Sequence, residues 1–148
     1  MKKKRIPKLR ASPIDIMSKM DKAEIDRIMS NYYISLDRVK NHRGEKSDLR
    51  SLIRVCRLLY IASKSGHFES SNESSVAIMG AENGVKEALN SAERGLNVKL
   101  DDNTYQTCKE VLESLEYMLS NASRRNVKAW LIEQDRSINS GVFQTLQD

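Results

Sequence analysis

Apolar residues recur every three or four positions along most of the chain, which places them on one face of an α-helix. A first helix is predicted from the capping signature of Asp21 and Glu24 to about Asn41. A second is predicted from Ser47 or Asp48 to a stop at Gly66. The first apolar stripe is Ile25, Ile28, Met29, Tyr32, Leu36 and Val39, and the second is Leu49, Leu52, Ile53, Cys56, Leu59 and Tyr60.

A third helix is predicted from Ser70, which can cap it together with Glu73, to a stop at Gly95. One face of this helix consists of small residues, namely Ala77, Ala81, Gly84, Ala88 and Ala92. Because glycine inside a helix costs about 1 kcal/mol relative to alanine, we expect another backbone to approach closely here. That backbone belongs either to a neighbouring helix of the fold or to a partner, including a second copy docked through Ala77, Ala81, Gly84 and Ala88.

A fourth helix is predicted to begin at Asp101 or Asp102, after a packed linker over residues 96–100. Its apolar stripe is Tyr105, Cys108, Val111, Leu112, Leu115, Met118, Leu119 and Ala122. The pattern changes phase near Ser123. Either a fifth helix begins there and continues through Arg136, or one long helix runs through both segments.

These patterns predict an all-α bundle of four to five antiparallel helices with a disordered basic N-terminal arm. We expect residues 1–13 to be that flexible arm, residues 14–138 a single helical domain, and residues 139–148 a C-terminal tail. Cys56 and Cys108 fall on apolar stripes, so both are expected to be free thiols in the core. The longest apolar run is residues 58–62, and no apolar run follows the basic N-terminus. We therefore expect no membrane span, no secretory leader and a cytoplasmic location.

Charge is distributed unevenly along the chain, although the net charge is only +5. Residues 1–10 hold six basic residues and no acidic one, and residues 38–64 hold eight basic residues against two acidic. Residues 67–120 hold four basic residues against ten acidic. Such asymmetry favours steering onto a charged partner.

Basic residues of the second helix and of the turn before it recur at helical spacing, on the side away from its apolar stripe. We predict that this basic stripe and the arm form the contact surface for a partner: Arg43, Lys46, Arg50, Arg54, Arg57, Lys3, Lys4 and Arg5. The partner is either a protein or nucleoprotein complex, or the phosphates of a nucleic acid. A solvated helix face explains the same stripe, and no helix-turn-helix signature is present.

The sequence lacks the spacings that usually carry catalysis or ligand binding. There is no G-x-x-x-x-G-K-[ST], no H-E-x-x-H and no G-x-S-x-G, and neither His42 nor His67 has a further metal ligand at a suitable spacing. Carboxylates such as Glu113 and Glu116 fall on the outer face of a helix. We therefore expect a protein that is not an enzyme and that needs no cofactor or metal.

Residues 35–66 resemble a group of short helical proteins encoded by proteobacterial phages, prophages and plasmids. The residues that match the pattern are Leu36, Asp37, Gly44, Asp48, Leu52 and Gly66. The resemblance implies a mobile-element accessory protein that binds a host complex, for example as an inhibitor of a defence system such as a CRISPR effector complex. The alternatives are a DNA- or RNA-binding regulator that uses the basic helix and the arm, and a helical adaptor that oligomerises through the small-residue face.

Overall fold

The computed structural model of the protein describes residues 18–66, 68 and 71–139. These residues form five helices: α1 (Lys22–Lys40), α2 (Lys46–Lys64), α3 (Asn72–Glu93), α4 (Asp102–Asn121) and α5 (Arg124–Asn139). The all-α bundle is confirmed, and within the described part of the chain the β pairing is limited to one isolated bridge between Lys19 and Ser123. The predicted arm at residues 1–13 and residues 140–148 of the predicted tail lie outside the described residues.

The first helix begins with the predicted capping box. The Glu24 N–H donates to Asp21 Oδ1 at 2.9 Å, and the Asp21 N–H donates to Glu24 Oε1 at 2.9 Å. These two bonds satisfy amides that have no partner inside the helix. After the helix ends, His42 adopts a φ of 62°, a left-handed backbone that turns the chain toward α2.

The second helix begins earlier than predicted, and neither Ser47 nor Asp48 is its N-cap. Asp48 instead caps from inside the first turn, where its carboxylate accepts from the Glu45 N–H at 2.8 Å. The same carboxylate accepts from the Ser35 hydroxyl at 3.0 Å, which ties α1 to α2 at a buried position. The other end of the helix is as predicted, because Gly66 follows it with a φ of 88°.

The second helix is the centre of the bundle and packs against each of the other four helices. Its predicted apolar stripe is buried except for Tyr60, which is partly buried, and Val55, Leu58 and Ala62 on an adjoining side are buried as well. Burial therefore covers most of the circumference of α2. Only a narrow arc is left for the basic residues that the sequence places opposite the stripe.

The small-residue face of α3 packs inside the fold where it meets α4. A Cβ added to Gly84 would lie 2.7 Å from the hydroxyl oxygen and 2.9 Å from the methyl carbon of Thr104. Ala81 is buried beside it, whereas Gly80 has no heavy atom within 4 Å of its added Cβ. The tight packing expected from the sequence is thus present inside the fold at Gly84, although the group that approaches the glycine is the side chain of Thr104 and not a backbone.

The change of phase near Ser123 marks a boundary between two helices. Ala122 leaves the helical backbone, with φ −106° and ψ 157°, and Ser123 Oγ accepts from the Asn126 N–H at 3.2 Å to cap α5. The single unbroken helix is therefore wrong, and the fifth helix runs to Asn139 rather than Arg136. Val98 and Leu100 of the linker pack against the core, as predicted.

No helix in the described part of the chain is both long enough and apolar enough to cross a bilayer.

Candidate functional site

Two residues of the basic stripe, Arg50 and Arg54, form ion pairs with other helices. Arg50 contacts Glu93 of α3 at 3.1 Å, and Arg54 contacts Asp135 of α5 at 2.8 Å. All four side chains are at least 40 % exposed, so each pair contributes about 0 to 1 kcal/mol. These arginines help to join α2 to its neighbours, and their charges are partly neutralised.

Arg57 lies on the buried side of α2, so the prediction that it belongs to an exposed stripe is wrong. Its guanidinium contacts Glu82 of α3 at 2.9 Å and donates to Ser137 Oγ of α5 at 3.1 Å. Lys86 contacts the same Glu82 oxygen at 2.8 Å, and the three charged side chains are between 4 % and 7 % exposed. The physical reason is the central position of α2, which places this arginine between α3 and α5.

Arg43 and Lys46, in the α1–α2 turn and at the start of α2, are exposed to solvent, as Arg50 is. Lys3, Lys4 and Arg5 lie outside the described residues. The structure therefore does not gather the eight predicted residues into one surface on the described part of the chain.

A cleft of about 910 Å³ opens between α3 and α4, above α2. The two helices are in contact at Gly84 and Thr104, and the cleft lies further along, beside residues 74–78 of α3 and residues 107–118 of α4. Phe68, which precedes α3, closes one side and also packs against Trp130, with ring centroids 6.3 Å apart. The lining residues are Leu59, Ser63, Phe68, Ser74, Ala77, Ile78, Thr107, Glu110, Val111, Glu113, Ser114, Tyr117 and Met118.

The cleft combines an apolar floor with a polar and acidic rim. Leu59, Ile78, Val111 and Met118 are buried and form the floor. Hydroxyl groups of serine, threonine and tyrosine surround them, and the charged residues of the lining are both glutamates. Such a groove fits a chain segment with apolar side chains on one side and positive charge on the other.

The rim of the cleft carries carboxylates of α4 and an exposed aromatic ring. Tyr33 of α1 donates to Glu116 at 2.6 Å, and burial together with this bond raises the pKa of Tyr33. Because Glu116 of α4 is hydrogen-bonded to α1, the carboxylates of α4 that line the cleft are those of Glu110 and Glu113. Tyr117 is 65 % exposed at the rim, and an exposed aromatic ring is a common anchor of protein interfaces.

The two cysteines are fully buried and free, as predicted. A hydrogen bond with Cys108, followed by burial, raises the pKa of the Cys56 thiol. Because the thiolate is the reactive form, Cys56 is a poor nucleophile at neutral pH. Among residues 18–66, 68 and 71–139, no group of three His, Cys, Asp or Glu side chains is placed to hold a metal ion.

Sequence patterns contain a signal on each of the two helices that flank the cleft, but no signal for the cleft itself. The small-residue face of α3 is one such signal, since Ala77 is among the lining residues, and the acidic outer face of α4 is another. Neither shows that α3 and α4 diverge beyond Gly84, because divergence depends on how two distant segments pack. The floor residues are also indistinguishable from the core residues of the same stripes.

Comparison of the chain with protein-family models, with curated proteins and with solved structures finds no match.

Proposed function

We propose that the protein is a non-enzymatic binding protein and that its α3–α4 cleft receives a segment of another protein. The observation that carries this proposal is the cleft itself, with its apolar floor, acidic rim and exposed Tyr117. Its volume of about 910 Å³ is near the upper end of the usual range for ligand sites, about 300 to 1,000 Å³. An open groove between two helices is also a recurrent way to bind an amphipathic helix or peptide.

The resemblance of residues 35–66 to phage and plasmid proteins gives this binding a biological setting. In that setting the partner is a protein or nucleoprotein complex of the host, and this protein inhibits that complex when it binds. A CRISPR effector complex is one such target. The partner segment would bring apolar side chains to the floor and lysine or arginine to Glu110 and Glu113.

Binding of DNA or RNA is the second candidate, and the exposure of Arg43 and Lys46 favours it. Its support is smaller than the sequence suggests. Arg50 and Arg54 already contact acidic side chains, and Arg57 is buried. Phosphate contacts would therefore depend on the α1–α2 turn together with the N-terminal residues.

Partner capture from a proteobacterial host lysate, with and without nuclease, tests the proposal when it is done with matched variants. Ala77→Arg places a long charged side chain in the cleft, whereas Ala129→Arg makes the same change on an exposed position of α5 that does not line it. We expect a discrete protein to survive nuclease and to bind the original chain and Ala129→Arg alike. Ala77→Arg should reduce its recovery at least tenfold.

Two outcomes would contradict the cleft as the binding site. Equal capture by Ala77→Arg would place the partner elsewhere on the surface. Recovery of nucleic acid alone, lost at raised salt and lost in the double variant Arg43→Glu/Lys46→Glu, would establish the second candidate instead.

A further inference from the structure

The N-terminal residues enter the described part of the chain beside the end of α4. The Ser18 carbonyl accepts from the Arg124 N–H at 2.8 Å, and Ser18 Oγ accepts from Arg124 Nη1 at 3.0 Å. Lys19 pairs with Ser123 in the adjacent bridge. Residues 1–17 are therefore joined to the bundle at the junction of α4 and α5.

That junction is close to the cleft. Tyr117 precedes Ser123 by six residues, which is about 9 Å along a helix axis. Seventeen residues can span up to about 56 Å when extended, so the N-terminal segment can reach every part of the cleft.

The composition of residues 2–10 matches the chemistry of the cleft. They contain Lys2, Lys3, Lys4, Arg5, Lys8 and Arg10, without an acidic residue, and the apolar side chains of Ile6 and Leu9 fall among them. The charged groups of the cleft lining are Glu110 and Glu113, next to an apolar floor. The segment thus has the two features that the groove requires, which are positive charge for the rim and aliphatic side chains for the floor.

We infer that residues 2–10 of the chain bind in the α3–α4 cleft of the same molecule. Tethering makes this binding intramolecular, with an effective concentration of the order of millimolar. A contact with a Kd of about 0.1 mM would then fill about nine clefts in ten. If the cleft is the partner site, which rests on the proposed function, a partner must displace this segment before it binds.

Carbodiimide cross-linking of the full-length chain tests the inference, because this reagent joins a lysine to a carboxylate only when the two are in contact. We expect peptide mapping by mass spectrometry to find Lys2, Lys3, Lys4 or Lys8 joined to Glu110 or Glu113. Ala77→Arg should reduce these products at least fivefold, and Ala129→Arg should leave them unchanged. Glu87 is exposed and lies outside the cleft, so cross-links to Glu87 in the same yield as to Glu110 and Glu113 would overturn the inference. The absence of cross-links to Glu110 and Glu113 would also overturn it.

An equal mixture of ¹⁵N-labelled and unlabelled protein identifies the molecule that supplies the segment. Products in which both peptides carry the same label support intramolecular binding. A product with a statistical mixture of labels would overturn it in favour of a second copy as the occupant.

The outcomes for the inference and for the proposed function are separable. Cross-links absent from the cleft, with partner capture still lost in Ala77→Arg, would overturn only the inference. Cross-links present, with capture unaffected by Ala77→Arg, would overturn only the proposed function. If both hold, replacing the six basic residues by glutamine should increase partner capture several-fold.

Discussion

At the residue scale, Glu82 is the shared acceptor of two buried cations. Arg57 of α2 and Lys86 of α3 contact the same carboxylate oxygen, at 2.9 and 2.8 Å. Burying charged side chains away from water is costly, and the attraction between a cation and a carboxylate offsets that cost only while both partners are present. Glu82 is therefore the member of this group whose loss removes an ion pair from both cations at once.

We expect Glu82→Gln to lower the free energy of unfolding by about 3 to 5 kcal/mol, because it leaves Arg57 and Lys86 buried without their shared carboxylate. Glu93→Gln is the matched control, since it removes the exposed partner of Arg50 between the same two helices and should cost about 0 to 1 kcal/mol. Urea unfolding followed by circular dichroism measures both. Equal costs for the two variants would show that the buried group does not hold α2 to α3.

The same residues show where sequence reasoning fails at this scale. The spacing of Arg50, Arg54 and Arg57 is that of a solvated helix face and also that of a helix with acidic side chains on two neighbouring helices. Pattern alone cannot separate the two, because the acids come from positions 25 to 81 residues away in the chain. Val55 and Leu58 were the available signal, since apolar residues outside the main stripe indicate a helix covered on more than one side.

At the scale of elements, the sequence predicts helices in all five places, with ends displaced by at most three residues, but leaves open whether the last two are one helix. Caps and stops explain this success, because the Asp21–Glu24 box acts through bonds between near neighbours and the glycines at positions 66 and 95 supply a left-handed backbone locally. The cleft depends on the pairing of α3 with α4, which meet closely at Gly84 and Thr104. That contact joins two separate helices, so the pattern of either one does not contain it.

The two glycines inside α3 make this contact testable. We expect Gly80→Ala to raise the free energy of unfolding by about 0.5 to 1 kcal/mol, because its new methyl meets open space and alanine favours the helix. Gly84→Ala should lower it by about 1 to 2 kcal/mol, because crowding against Thr104 exceeds the same helix benefit. Thermal and urea unfolding measure both changes.

A double-mutant cycle with Thr104→Ala isolates the crowding from the helix propensity. The penalty of Gly84→Ala should shrink in that background, while the benefit of Gly80→Ala should not change. If Gly84→Ala stabilises the protein as much as Gly80→Ala does, Thr104 is not what brings α3 and α4 together.

At the scale of the whole molecule, one arginine joins the segment before the first helix, the first helix and the last. Arg124, at the start of α5, donates to both carboxylate oxygens of Glu24 in α1, with Nε to Oε2 at 2.9 Å, and also contacts Ser18. Glu24 in turn caps the first helix through Asp21. Protonation of this single carboxylate therefore loosens the helix cap and the junction between α1 and α5 together.

The Arg124 bond, followed by the Asp21 N–H, lowers the pKa of Glu24 from 4.5 to about 2. Between these values the unfolded chain binds a proton that the folded chain does not, so acid favours unfolding. The stabilisation by Glu24 is present above about pH 4.5 and is lost as the pH falls toward 2. In urea unfolding at each pH, the stability difference between the original chain and Glu24→Gln should shrink across this window. Glu133→Gln, which removes an ion pair inside α5 alone, controls for loss of a surface carboxylate. A difference that stays constant from pH 6 to pH 2 would show that the Glu24–Arg124 bond does not stabilise the junction.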